Sequence, residues 1–444
     1  MLLKGIEKEY SIWALIALVI FIFLQMGTSF LGQESFLSLY GGIHIIWLMS
    51  YLVVVFICLR LSYISSFVFL FVYQGCVVFF LLSFYMSIIG NPLGIDPLDA
   101  KFYDEIARHI AKLSFFDSIS YLLKTHDMGE IAYTQIIRLV YMLPGDSIIN
   151  MKFINVALHM SSGLFVYKTA TLLGLNSTRS KLIFIIFCMN PASVYFNSSG
   201  LKEPVFQFLI ASTIYVCYMY ILTKKSKYLV VSLLLILLTG FFRIPYPIIF
   251  IAGFSVYIYL GSQGQAKFFA RTFLIIVIPL MFFGIWLLLK DAISHLMNLD
   301  IGAVQAHRLG RDNIGLKDYL ALIISGFIGP VPSFSYDYWS IDTPLFTIQN
   351  YIKMMLSVFF VYSIYEIYKE KLILYYPIVC IYMLNALLLI LTAATFDFRF
   401  IYPLMPIFYL IVGRRFISNH SVKKAWFWGG LSFGILFIFL YNFR

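Results

Sequence analysis

Apolar residues run along this chain in long unbroken blocks instead of recurring at helical or strand spacing. Such blocks lie near 11–31, 43–61, 65–90, 152–174, 181–196, 203–223, 228–242, 246–261, 272–290, 345–368, 372–394, 398–413 and 426–441. Each is apolar round its whole circumference, so periodicity says little and length decides. A helix needs about 20 apolar residues to cross a bilayer. In lipid the backbone must satisfy its own hydrogen bonds, which makes these segments helices. The pattern predicts an all-α, polytopic transmembrane helix bundle of about thirteen spans.

Composition points the same way. Hydrophobic residues make up 61% of the 444 and charged residues 12%, against about a quarter charged in a soluble domain. The net charge of +11 reads as membrane topology. With the N-terminus inside, Lys4, Lys8, Arg60, Arg179, Lys181, Lys224, Lys225, Lys227, Lys267, Arg271, Lys369, Lys371, Arg414, Arg415, Lys423 and Lys424 all fall in cytoplasmic connections, as the positive-inside rule requires. Only Glu7, Glu9, Glu366 and Glu370 among the acids stay on that side. No basic run is interleaved with aromatic residues in a soluble segment, which argues against nucleic acid as a partner. Cys58, Cys76, Cys188, Cys217 and Cys380 sit inside apolar blocks without C-x-x-C spacing, so they read as packing residues rather than a disulfide or zinc framework. The first block, Ile12 to Phe30, exceeds a signal-peptide core and is expected to remain as an anchor.

Two stretches interrupt the spans. Asn91 to Asn150 forms a long outer loop with two amphipathic pieces, one through Phe102, Tyr103, Ile106, Ile110 and Leu113, the other through Ile131, Gln135, Leu139 and Met142. Helices of this kind are expected in the membrane interface. Asp291 to Pro344 holds the apolar stretch Tyr319 to Ile328, then Gly329-Pro330-Val331-Pro332, and reads as a segment re-entering from outside. The chain thus divides into N-terminal spans (1–64), a core (65–225) with the outer loop 91–150, and a C-terminal region (226–444) with the outer loop 291–344.

The acids gather on the outer side. Asp96 and Asp99 open the run Asp96-Pro97-Leu98-Asp99-Ala100-Lys101-Phe102-Tyr103. A carboxylate held at a helix end on a membrane boundary is placed to act as a general base; a solvated loop is the plain alternative. Glu203, after Lys202, begins another span, where the helix dipole favours an acid in any case; it stands equally as a group orienting an acceptor. Arg243 lies between two spans, and an Arg near membrane depth must be paired or wet. Arg399, in Phe396-Asp397-Phe398-Arg399-Phe400-Ile401-Tyr402-Pro403, carries a fork suited to phosphate oxygens; its alternative is an ion pair with Asp397 or another outer acid. His307, Arg308 and Arg311 form a looser basic group. Tyr336, Tyr338 and Trp339, beside Asp337 and Asp342, serve as interfacial anchors or as a sugar-stacking surface.

The run from Asp99 to Arg108 resembles the first outer loop of the GT-C superfamily of polyprenyl-phosphate-sugar glycosyltransferases, the class of the lipid A aminoarabinose transferase and the protein O-mannosyltransferases. Their pattern D-E-x-x-Y-x-x-x-A is matched at Asp99, Tyr103 and Ala107, and the likeness continues through Tyr133, Leu139 and Gly145 to Leu172-Leu173-Gly174. Ala100 departs from the usual second acid, so no metal or second-carboxylate role falls there. Glu203 stands where the family carries an acid, and Arg399 to Pro406 is similar to its late R-[YF]-x-x-P-x-x-P pattern. The likeness covers about 65–225 plus the segment at Arg399.

The resemblance implies a GT-C-type bundle with helices in its outer loop. It implies Asp99 as the base that activates the acceptor, with Asp96 its nearest competitor and Glu203 a further catalytic acid. Tyr103, Lys202, Arg243, Arg308, Arg311 and Arg399 become substrate-binding candidates. The implied reaction moves a sugar or glycan from a polyprenyl-phosphate or pyrophosphate donor to a glycan or lipid acceptor, outside the plasma (inner) membrane of a bacterium. No metal site and no cofactor are expected, though a divalent cation is left open. An O-antigen or capsule repeat-unit polymerase is a rival within this class. A flippase or transporter of lipid-linked oligosaccharide is the rival outside it, and would want ionisable residues at mid-membrane, where Lys168 and Glu366 come nearest.

Overall fold

The computed structural model describes residues 53–88, 90–93, 98–125, 128–142, 148–261, 316–329, 342–396 and 398–416, with Ser432 and Leu436. Among these residues every regular element is helical. Spans expected at 11–31, 272–290 and 426–441, and most of 43–61, lie outside the described residues, as do Asp96, Arg308, Arg311, Asp397 and the aromatic group at 336–339.

Helix α1 is Tyr63–Ile88; α2 (Leu98–Ile110), α3 (Phe115–Thr125) and α4 (Met128–Tyr141) form the loop after it. Then come α5 (Ile148–Leu172), α6 (Ser177–Cys188), α7 (Pro191–Ser199), α8 (Glu203–Thr223), α9 (Ser226–Gly240) and α10 (Tyr246–Gly261). The later part holds α11 (Leu316–Ile328), α12 (Asp342–Lys369), α13 (Tyr376–Leu391), a one-turn helix Phe398–Ile401 and α14 (Met405–Phe416). Three helical segments are long and apolar enough to cross a membrane: Tyr63–Ser87, Glu203–Thr223 and Ile373–Leu391. A fourth crossing results if α6 and α7, bent by 50° to each other, are one broken span. Among the described residues the rest fall short in length, as α9 and α10 do, or in apolarity, as α5 does with Asn150, Lys152, Asn155, His159 and Lys168 along it.

The break between α6 and α7 follows from its sequence. Asn190 caps α7, its side chain accepting from the Ala192 N–H at 2.9 Å, and Pro191 sits at the first helical position, where a missing N–H costs nothing. The Cys188 carbonyl left over at the bend accepts from Gln74 Nε2 at 2.8 Å and lies 3.3 Å from His159 Nε2. His159 Nδ1 in turn meets Gln207 Oε1 at 2.9 Å, and Gln207 Nε2 donates to the Tyr402 carbonyl at 3.0 Å. One buried polar network therefore binds α1, α5, α8 and the turn before α14 around a carbonyl that the helix itself cannot satisfy.

The bundle has two chemically different ends. At the loop-helix end, Tyr133 of α4 donates to the Gly200 carbonyl at 2.5 Å, where Gly200 closes α7 in the left-handed conformation, φ 74°. At the opposite end Lys181 donates to the Leu59 carbonyl (3.3 Å) and the Leu61 carbonyl, and Arg414 donates to Glu370 at 2.7 Å. Two cations expected on the cytoplasmic side thus share the end away from the loop helices.

The loop after α1 departs from expectation. It contains three helices where two amphipathic pieces were expected, and their apolar faces cover one another. Ile106 and Ile110 of α2, Leu122 of α3 and Ile131 of α4 make a small buried cluster. Arg138 of α4, itself buried, donates to the carbonyls of Ile110 (2.9 Å) and Leu113 (2.8 Å), closing off the α2 C-terminus. The large apolar residues left exposed on this loop are Phe102, Phe115, Phe116, Leu123, Leu139 and Met142.

Candidate functional site

Two helix starts, the turn after α9 and a one-turn helix converge at the loop-helix end. Asp99 lies in the first turn of α2 and Glu203 opens α8, both where the positive end of the helix dipole favours an acid. Arg243 follows α9. Arg399 lies in the one-turn helix before the Tyr402-Pro403-Leu404 turn.

Arg399 Nη1 donates to Asp99 Oδ2 at 2.5 Å across 300 residues of chain, and both side chains stay open to solvent, 38% and 53% exposed. The ion-pair alternative for Arg399 is therefore realised, with Asp99 as the acid. Behind it lies a second pair: Arg243 Nη2 stands 3.8 Å from Glu203 Oε1 with side chains 14% and 7% exposed. Arg243 couples the two pairs, because its guanidinium also donates to the backbone carbonyls of Arg399 (3.3 Å) and Phe400 (3.4 Å). It lies over the Phe400 ring at 4.4 Å, a cation–π contact.

Lys202 and Tyr103 complete the cluster. The Lys202 amine donates to the Gly129 carbonyl at 3.0 Å and stands 5.6 Å from the Tyr103 ring centroid. Burial pushes this amine below the ordinary lysine range, with Glu203 opposing the shift and Arg243 adding to it. Tyr103 packs edge-on against Tyr133 at 5.1 Å; burial, then the charges of Glu203 and Asp99, push its hydroxyl well above the usual tyrosine range. Tyr103 is thus a neutral phenol at any physiological pH.

Asp99, Tyr103, Lys202, Glu203, Arg243 and Arg399 are brought together. Sequence reasoning missed Glu130, whose charge acts on both Tyr103 and Lys202, and Phe400 as the platform for Arg243; nothing local in the sequence marks either. Counting Glu130, three acids face three bases, so the site is close to neutral overall but strongly divided within. Among the described residues Glu203 Oε2 is buried without a hydrogen-bond partner, a carboxylate oxygen placed to accept from a hydroxyl that enters. Asp104, next to the site in sequence, is engaged elsewhere, by the Tyr141 hydroxyl and by Arg108 Nε at 3.1 Å. Among the described residues no three His, Cys, Asp or Glu side chains gather as metal ligands.

Besides Lys168 and Glu366, two lysines among the described residues, Lys152 and Lys353, are buried with no exposed surface. Lys152 donates to the Pro92 carbonyl. Lys353 has no hydrogen-bond partner among the described residues.

No protein-family model matches the chain, and neither the curated proteins nor the solved structures contain a match to it.

Proposed function

We propose that this chain is an integral membrane glycosyltransferase. It moves a sugar or glycan from a polyprenyl-phosphate or pyrophosphate donor to an acceptor hydroxyl on the extracytoplasmic face of a bacterial plasma membrane. The observation that carries the reading is the solvent-open Asp99–Arg399 pair backed by the buried Glu203–Arg243 pair. Glycosyl transfer needs a carboxylate to take the acceptor proton beside a fixed cation that receives the phosphate leaving group. Here the two adjoin, at the end of the bundle away from Lys181 and Arg414.

In this mechanism Asp99 accepts the proton of the acceptor hydroxyl as the acceptor oxygen bonds to the anomeric carbon. The bond from that carbon to the phosphate oxygen breaks, and its electron pair leaves with the lipid phosphate. Arg399 takes up the growing charge on the phosphate, with Arg243 holding the Arg399 backbone in place. Glu203 Oε2 accepts from a substrate hydroxyl, and Tyr103 and Lys202 frame the sugar. The reading calls for no cofactor, a divalent cation being left open, and takes a bundle of about thirteen spans as the membrane frame. Repeat-unit polymerisation is the same chemistry with a second lipid-linked glycan as acceptor. Transport of a lipid-linked oligosaccharide is the second reading, favoured by one observation: the buried amine of Lys353 within α12.

The test is reconstitution of the full chain in liposomes with a radiolabelled polyprenyl-phosphate sugar and a candidate acceptor. Labelled product with release of polyprenyl phosphate supports transfer. Movement of the intact lipid-linked sugar between leaflets, with no product, would replace it by transport.

A further inference from the structure

Helix α12 is 28 residues long, about 42 Å at 1.5 Å per residue. Lys353 lies about 17 Å from its start and about 24 Å from its end on the same rise. The side chain has no exposed surface. Its surroundings are an aromatic ring, Phe408 with its centroid 5.8 Å from Nζ, and the backbone at the end of α11. Gly329, at φ +108°, leaves space there: a Cβ at that position would come within 3.1 Å of Lys353 Cδ and 3.3 Å of Nζ. An amine so placed has lost its water and, among the described residues, gained no carboxylate or carbonyl. Desolvating a charge without pairing it is among the costliest arrangements a fold can hold, and an ionisable group inside a membrane bundle marks a functional path.

Lys353 does not stand alone. One turn earlier on the same face of α12, Gln349 is buried with both amide atoms unpartnered among the described residues, and Asn350 has a carbonyl oxygen unpartnered among them. Because Gln349 leaves both its nitrogen and its oxygen free, the point does not depend on which way the amide is turned. The face therefore offers an amine that a bound anion would hold protonated, an amide nitrogen donor and two amide oxygen acceptors. A carboxylate ligand would use the donors only. A phosphoryl group carrying a hydroxyl-bearing substituent uses all of them, its oxygens on Lys353 and the Gln349 amide, its hydroxyls on Gln349 Oε1 and Asn350 Oδ1. Attachment to a hydrocarbon tail favours entry to such depth, since the tail's burial offsets the loss of water from the head.

We infer that the Gln349–Asn350–Lys353 face of α12 binds the phosphoryl head group of a lipid-linked substrate. This rests on the reading of the substrate as a polyprenyl phosphate, but not on where transfer occurs.

The experiment follows the thermal midpoint of the full chain in detergent as undecaprenyl phosphate is titrated in, with undecaprenol and inorganic phosphate as parallel probes. Wild type should be stabilised by undecaprenyl phosphate and not by undecaprenol. Lys353→Met should raise or leave unchanged the ligand-free midpoint, because it removes an unpaired buried charge, and weaken apparent affinity by about 10- to 100-fold. Gln349→Leu should weaken it several-fold, and Lys112→Met, on the exposed loop, should leave it unchanged. Unaltered affinity in both Lys353→Met and Gln349→Leu would overturn the inference while leaving the proposed activity standing. No stabilisation of wild type by undecaprenyl phosphate would overturn both. A Lys353-dependent response to inorganic phosphate alone would overturn the lipid source. A ligand-free midpoint that falls in both variants, with ligand response intact, would make the amine a structural group.

Discussion

Arg243 is the residue through which packing and chemistry meet, so Arg243→Leu is the most telling perturbation of the fold's design. Its guanidinium is 14% exposed, faces a Glu203 carboxylate that is 7% exposed, and holds the carbonyls of Arg399 and Phe400. Removing one partner of a buried pair typically costs about 3–5 kcal/mol, since the other charge is left without compensation. The 3.8 Å separation and the long carbonyl bonds place this pair at about 3 kcal/mol, the lower end of that range. Glu203→Gln should cost less, about 1–2 kcal/mol, because Arg243 keeps its carbonyls and the Phe400 ring. The double substitution Glu203→Gln with Arg243→Leu should recover much of the loss, as coupled neighbours do. Thermal unfolding of the purified chain in one detergent, followed by tryptophan fluorescence, gives the ordering. If Arg243→Leu is as stable as wild type, or if the double variant loses the sum of the singles, the buried pair is not what holds the turn carrying Arg399.

Three further outcomes follow from other parts of the bundle. Gln74→Leu removes the best donor to the Cys188 carbonyl, so it should destabilise by about 1–3 kcal/mol; unchanged stability would mean the bend satisfies itself. Gly163→Ala would drive a Cβ into Cys188 Sγ and to 3.0 Å from the Phe184 ring, an overpacking worth about 1–3 kcal/mol, read as a lower midpoint at unchanged helix content; an unchanged midpoint would show that the contact relaxes freely. In a background lacking native cysteines, Ser120→Cys on α3, exposed, should react with an impermeant thiol reagent on intact cells, while Ser226→Cys at the far end should not. The reverse pattern would invert the topology. Ser118, a natural first choice for such a label from sequence, is buried and accepts from Gln135 at 2.8 Å.

What could be read from the chain beforehand depended on whether a single segment contained the information. The apolar blocks at 203–223 and 246–261 coincide in their bounds with α8 and α10, the second falling short of a crossing, because a proline opens each helix and basic residues lie nearby in the sequence. The break in 181–196 was not legible as a bend, although Asn190-Pro191 marks it, because a Pro is compatible with both a new helix and a kink in an old one. The loop helices were legible as amphipathic but not as mutually covering, since an apolar stripe does not say what covers it. The six gathered site residues were each visible as charged or aromatic groups at span ends. That Arg399 would choose Asp99 was beyond reach, because the pair joins residues 300 positions apart. Lys353, Gln349 and Asn350 were not legible for a related reason: a polar triplet in a hydrophobic block reads as tolerated noise until burial shows that no described residue answers it.

The measurement that bears most directly on the account is glycosyl transfer by Asp99→Asn from a lipid-linked donor, at matched protein abundance and beside its stability. The Asp99–Arg399 pair is half open to water, and exposed pairs contribute about 0–1 kcal/mol, so the unfolding midpoint should hardly move. A positioned acid–base group contributes about 100- to 10,000-fold to rate, so transfer should fall within that range while the donor still binds. Transfer at the wild-type rate by a folded Asp99→Asn protein would contradict the account, removing Asp99 as the base and with it the catalytic reading of this end of the bundle.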